Sequence, residues 1–339
     1  MLPSRVGPYE IKSEIGGNER GRVFEAFDPR SNRAVALKMI QSQSLFTLTG
    51  KRKFDDQLKA LQALTHPNLM PIIDFGDEDR RPYIVMPLMA GNLTSKMEGG
   101  LLPVGKVLEL ARALAAGLDH AAANGVYHTD LKPNNVLFDI HDHPFIGDLG
   151  VAQVIESLSA ANRPEVNPHY MSPEQVRKRK PTGLAHQYSL AALLFHLLSG
   201  EVLFAGATDL VASFKHTSER PRSINQLRPD LSEAFGEVLG KALRKVPADR
   251  YGSSVEFVAN LVRAYGGAIT PEEVRAERAS TSPAIRIPQM VLPQAGLSTI
   301  QLPGITNAAR ARMLVVLSIS LSICICAASG VLFSLMESP

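Results

Sequence analysis

Apolar and polar positions change rhythm along the chain, and the change divides it into regions. Tyr9–Ile15, Arg22–Asp28 and Ala34–Ile40 alternate or run apolar between breaks of Gly, Asn, Pro and Ser, which predicts short strands. Lys51–Leu64 switches to helical spacing, with Phe54, Leu58, Leu61 and Leu64 on one face. Strands are expected again around Pro71–Phe75 and Tyr83–Met86. From Pro103 onward long helical patterns dominate, over Val104–Ala123, Leu184–Leu198, Leu231–Leu243 and Ser254–Ala264. The expected class is α+β, with a small sheet-rich lobe at about 9–86 and a larger helical lobe at about 87–264.

Between Tyr265 and Arg312 the periodic patterns stop. Pro271, Pro283, Pro288, Pro293 and Pro303 recur among Ser, Thr, Gly and Ala, and proline blocks both helix propagation and strand pairing. Residues 265–312 therefore read as a semi-extended linker, in which Thr270-Pro271-Glu272-Glu273 carries the signals of a short helix start. From Met313 to Met336 no residue is charged and Leu, Ile and Val predominate. As a helix this run measures about 36 Å, against a hydrocarbon thickness of about 30 Å. A buried core helix is the alternative, but core helices seldom stay apolar on every face for so long. The run is expected to be a single transmembrane helix, 313–336, with 337–339 as a short tail. Arg310 and Arg312 precede it and Glu337 follows it, so the positive-inside bias puts residues 1–312 in the cytoplasm.

Composition narrows the classes. Hydrophobic residues make up 45% of the 339 and charged residues 20%, a globular balance. A formal net charge of +3 is too small to suggest a nucleic-acid partner, and none is expected. Both cysteines, Cys324 and Cys326, lie in the apolar run, so neither a disulfide framework nor a cysteine metal site is expected in the soluble region. Met1–Ile11 has no apolar core and does not read as a secretory signal.

Candidate chemistry gathers at four places. Ile15-Gly16-Gly17-Asn18-Glu19-Arg20-Gly21 joins two predicted strands, and glycines there let backbone N–H groups approach phosphate oxygens; an ordinary hairpin turn is the plainer explanation. Lys38 ends the strand Val35-Ala36-Leu37-Lys38, either as a snorkelling edge charge or as a grip on those phosphates. His128-Thr129-Asp130-Leu131-Lys132-Pro133-Asn134-Asn135 puts a carboxylate, a lysine and an amide in one loop between a helix and a strand. Phosphoryl transfer needs these groups: a carboxylate to orient and deprotonate the hydroxyl, a cation for the transferring group, and an oxygen ligand for Mg²⁺. Gly147-Asp148-Leu149-Gly150 then adds a second acid after a strand, suited to chelating Mg²⁺ between phosphates. Either acid alone would be an ordinary turn residue; it is their coincidence that argues for chemistry.

With these motifs in this order, the chain resembles the Hanks-type (eukaryotic-like) serine/threonine protein kinases, membrane-anchored bacterial branch. His66-Pro67-Asn68-Leu69, Tyr170-Met171-Ser172-Pro173-Glu174-Gln175, Tyr188-Ser189-Leu190 and Pro247-Ala248-Asp249-Arg250-Tyr251 extend the resemblance over residues 9–264. It implies a bilobal protein-kinase fold, ATP and Mg²⁺ as cofactors, and protein substrates. By resemblance, Asp130 is the base and Lys132 contacts the γ-phosphoryl. Gly16, Gly21, Val23, Ala36, Lys38 and Met86 bind ATP, and Asn135 and Asp148 hold the metal. Glu174 and Arg250 form a supporting ion pair, and His128, Leu149 and Leu61 pack as core.

Five positions depart from the family pattern. Asn18 stands for a loop glycine, Gln57 for the glutamate that pairs with Lys38, and Thr129 for the arginine before the base. His186 replaces the acid tying the catalytic loop to the central helix, and Asn167 replaces a threonine of the substrate channel. Two readings stay open, an active kinase and a pseudokinase acting as a membrane-tethered scaffold. Two surface features are weighed as well. Arg177-Lys178-Arg179-Lys180 is either a solvated surface or a docking site for acidic groups. His141 and His143 are read as a hairpin turn, with too few converging ligands for a metal.

Overall fold

The structure, a computed structural model, describes residues 3–266 apart from 19–20, 41–47, 80, 152–153, 155–166 and 205–207. The chain divides into two compact units, Met1–Pro283 and Ala284–Pro339, and all described residues belong to the first. Most of the expected linker, the apolar run at 313–336 and the tail lie outside the described residues. Among the described residues, no helix is long and apolar enough to cross a membrane.

The first lobe is a six-stranded antiparallel sheet: β1 (Arg5–Val6), β2 (Tyr9–Asn18), β3 (Gly21–Asp28), β4 (Arg33–Ile40), β5 (Asp74–Glu78) and β6 (Arg81–Pro87), in the order β1-β2-β3-β4-β6-β5. Alternation along β4 sorts its side chains. Val35 and Leu37 join Tyr9, Phe24, Ala26 and Val85 in one apolar cluster. Ile40 points the other way, packing with Ile84 against Phe54 and Leu58 of α1 (Leu48–Ala63). Lys38 shares that second face, because it lies opposite Ile84 in the β4–β6 register and two residues from Ile40. The lysine is thus carried on an inner face by strand period alone.

Among the elements that depart from the pattern's prediction are a strand and a helix. The strand expected at Pro71–Phe75 begins only at Asp74, because it is a polar, half-exposed edge strand with little apolar alternation. The helix Asp209–Ser218 was not expected: Leu210, Val211 and Phe214 face solvent, and its buried residues are Ala212 and His216. Its start is nonetheless marked by Thr208, whose hydroxyl accepts the Val211 N–H.

The second lobe is helical. α2 (Leu93–Met97) is followed by α3 (Val104–Ala123), α4 (Pro173–Val176), α5 (Gly183–Ser199), α6 (Asp209–Ser218), α7 (Glu233–Ala242) and α8 (Ser254–Gly266). Every residue from Ala185 to Phe195 on α5 is buried, so this helix has no solvent face and forms the axis of the lobe. Gly200 closes it in the left-handed conformation, φ 76°. A small sheet, β7 (Gly91–Asn92), β8 (Val136–Phe138) and β9 (Pro144–Ile146), lies on the lobe. Asp142, at φ 66°, makes the β8–β9 connection the turn expected at His141–His143.

Candidate active site

The loop before β8 and the turn after β9 are tied together by backbone. Gly147 N–H donates to the Asn135 carbonyl at 2.8 Å, and His128 Nε2–H donates to the Gly147 carbonyl at 3.0 Å. His128 Nδ1 in turn accepts the Asp130 N–H at 3.2 Å. The histidine is therefore neutral, and burial holds its pKa below the ordinary value. It is buried as core, as expected, and it also connects the two loops. Leu61 and Leu149 line one shared cavity with Ile84, Met86 and Asp148. Gly150, at φ 72°, has no room for a side chain: a Cβ would lie 2.6 Å from the Leu61 side chain.

Asp130 is buried and held at both oxygens. Oδ1 accepts the Asn167 N–H at 3.2 Å, and Oδ2 accepts from Lys132 Nζ at 2.7 Å. Asn135 Nδ2–H donates to the Asp130 carbonyl at 2.8 Å. Asp148 sits in the left-handed region, φ 54°, and its Oδ2 lies 2.5 Å from the buried Lys38 Nζ. Lys38, Asp148, Asn135, Asp130 and Lys132 are thus brought into one site.

On the sheet side, Val23 pairs with Lys38 across β3–β4 and Ala36 pairs with Met86 across β4–β6. The glycine strand is longer than expected: pairing runs past Ile15 through Gly16 and Gly17 to Asn18, opposite Gly21. Gly21 is required by packing, since a Cβ there would lie 2.1 Å from the Met39 carbonyl. Gly16 differs, for a Cβ there would meet nothing within 4 Å. Gln57 sits half-buried on α1, one residue before the fully buried Leu58.

The departures in the helical lobe have local solutions. His186 Nε2 accepts the His128 N–H at 2.7 Å, and Nδ1–H donates to the Leu118 carbonyl at 3.2 Å. A neutral imidazole thereby ties the loop to α5; burial, aided by His128, pushes it down to about 3. Thr129 Oγ1 is buried and has no hydrogen-bond partner among the described residues, while its carbonyl accepts Gln175 Nε2–H at 2.9 Å. Gln175 also closes a capping box with Ser172 at the start of α4. Glu174 grips Arg250 through two bonds of 2.7 and 2.9 Å, and Arg250 further donates to the Leu184 and Arg244 carbonyls. This pair is the expected one. Gln175 was missed, and only its place three residues after a serine could have pointed to it.

Mg²⁺ is a fit for this donor set. A carboxylate and an amide oxygen are the few hard ligands such an ion takes from protein when phosphates supply the rest. Among the described residues there is no cluster of three or more His, Cys, Asp or Glu side chains for another metal.

The chain belongs to the protein kinase domain family, which residues 9–261 match. It has that family's fold, a sheet-rich lobe followed by a helical one. It is 31% identical over 296 residues to serine/threonine-protein kinase PknF of Mycobacterium tuberculosis, covering 84% of this chain and 62% of that protein. It is also 29% identical to serine/threonine-protein kinase PrkC of Bacillus subtilis, over 78% of this chain and 42% of the relative. The crystal structure of the M. tuberculosis PknI kinase domain superposes with a TM-score of 0.64 at 28% identity, covering 78% of this chain and all of that one. The chain thus spans less than two thirds of the length of the curated relatives it matches.

Proposed function

We propose that residues 9–264 form a serine/threonine protein kinase that transfers the γ-phosphoryl group of ATP to protein hydroxyls. Residues 265–312 tether it to a single membrane span at 313–336, with the kinase on the cytoplasmic face. One observation carries the catalytic reading: a buried carboxylate, Asp130, held at both oxygens in the same site as the Lys38–Asp148 pair. The names of PknF and PrkC support it. A pseudokinase scaffold is not favoured, because the proton acceptor, both metal ligands and the phosphate-binding lysine are all present.

In this mechanism the glycine strand at Gly16 and Gly21 covers the phosphates, Val23, Ala36 and Met86 border the adenine, and Lys38 pairs with the α/β phosphates. Asn135 and Asp148 would hold Mg²⁺, which when bound neutralises charge on the β and γ oxygens. Asp130 orients the acceptor hydroxyl and takes its proton as that oxygen bonds to the γ-phosphorus. The bond from phosphorus to the β–γ bridging oxygen breaks, and ADP leaves. Lys132 stabilises the equatorial oxygens. Gln57, Glu174 and Arg250 support the site without touching the reacting atoms.

The test is radiolabelled ATP turnover by the full chain in detergent, with Mg²⁺ and a generic protein substrate. Asp130→Asn should lower transfer by about 10²-fold or more while ATP affinity stays within about twofold. Equal slow transfer by both proteins would hand the assignment to the pseudokinase.

A further inference from the structure

Behind the loop that contacts Asp130 lies a partly buried polar chain drawn from α5, α6 and the segment after α7. Lys245 Nζ donates to Tyr188 Oη at 3.2 Å, and Tyr188 O–H donates to His216 Nδ1 at 3.0 Å. His216 Nε2–H donates to the His169 carbonyl at 3.1 Å. His169 N–H donates to Asn167 Oδ1 at 3.0 Å, and Asn167 N–H reaches Asp130 Oδ1 at 3.2 Å. The direction is fixed by chemistry. A carbonyl only accepts, so Nε2 carries the proton; the neutral ring then accepts at Nδ1, and the phenol must donate. Burial favours that neutral form, pushing His216 down to about 3. The imidazole is also seated mechanically, with the Phe204 and Tyr188 rings edge-on at 4.9 and 5.7 Å. His216 and Tyr188 are both fully buried.

We propose that His216, backed by Tyr188 and Lys245, is a positioning residue that holds the 167–170 loop so that its amide fixes Asp130 Oδ1; this rests on the kinase reading above. From Lys245 through Tyr188 and His216 to the His169 carbonyl the bonds point the same way, so each polarises the next; beyond that carbonyl the hold on Asp130 passes through the position of the loop backbone. Of the three side chains, His216 bonds the loop directly, and it bonds the backbone, so its function does not depend on which side chain occupies position 169. With Oδ1 engaged by an N–H, the other carboxylate oxygen faces Lys132 and the incoming hydroxyl.

The test pairs turnover with a readout that needs no turnover. In the full-length protein, His216→Phe should lower kcat for peptide phosphorylation about tenfold, with ATP sites per chain and ATP Kd unchanged. His216→Gln, whose tip keeps one donor and one acceptor, should recover activity to within about threefold. Tyr188→Phe preserves the ring and removes only the donated proton; it keeps the test alive should His216→Phe not fold. Combined with His216→Phe it should add little, since both break one chain. Hydrogen exchange at the Asn167 and His169 amides should accelerate about tenfold in His216→Phe and Tyr188→Phe, whether or not the protein transfers phosphate. Unchanged exchange would overturn the positioning. So would a fall in kcat matched by an equal loss of ATP sites, or failure of glutamine to outperform phenylalanine. A wild type that transfers no phosphate while these amides respond would overturn the kinase reading alone.

Discussion

A histidine at position 186 does what a carboxylate is expected to do there. It accepts the His128 N–H through one lone pair and uses its other nitrogen as a donor, so it must stay neutral. His216 is under the same constraint. Both have folded values pushed to about 3 from an ordinary 6.5, and burial is the leading cause. The unfolded chain therefore binds more protons between these values, so stability is intact above pH 6.5 and is lost as the pH falls toward 3. Each histidine should contribute a slope of up to about 1.4 kcal/mol per pH unit in that window. Urea midpoints from pH 7 to pH 4 should fall steeply in the wild type. In His216→Gln the slope should be shallower by about one proton. An identical slope would mean that His216 titrates normally in the folded protein.

At the scale of elements, the described stretch leading into α4, residues 167–172, is held without an arginine at the position before the base. Thr129 offers a hydroxyl where the family pattern has an arginine, and its carbonyl is held by Gln175. Asn167 N–H, the Ser172–Gln175 capping box and the buried Glu174–Arg250 pair fix the same stretch. Phosphatase treatment, or Ser157→Ala with Ser159→Ala, should therefore change turnover by less than about tenfold, or about 1.4 kcal/mol of transition-state stabilisation. A larger loss would show that another cation reads a phosphate there. What could be read in advance differs by element for physical reasons. α3 carries a full apolar stripe and was legible to both ends, Val104–Ala123. α6 turns its apolar residues to solvent, so its periodicity pointed away from the core and hid it. The site divides in the same way. Lys38, Asp130, Lys132, Asn135 and Asp148 belong to short linear motifs and could be named from sequence. Gln175, Tyr188 and His216 acquire their roles only across chain separations of 46, 28 and 47 residues, which no local pattern records.

For the molecule as a whole, the proposed tether implies a topology. Protease added outside intact cells should leave residues 1–312 whole, while removal of 313–339 should release the protein from the membrane fraction. Retention of the truncated chain would show that the apolar run is not its anchor. Within the first unit, the lobes meet through Lys38 and Asp148 and through the backbone bonds of Asn68 and Met70 with Ile146.

The neutral anchor at His186 has a further consequence in ionic solution. Dissolved salt competes with charges that water can reach, over a screening distance of about 8 Å at physiological strength, and acts far less on buried pairs. An uncharged imidazole bonded on both nitrogens inside the protein offers such ions nothing to displace, and Glu174–Arg250 is itself enclosed. Lys132, by contrast, keeps part of its side chain open, and Arg177–Lys180 lies at the surface. Rising ionic strength therefore screens these open cations well before it reaches the enclosed anchors at His186 and Glu174–Arg250.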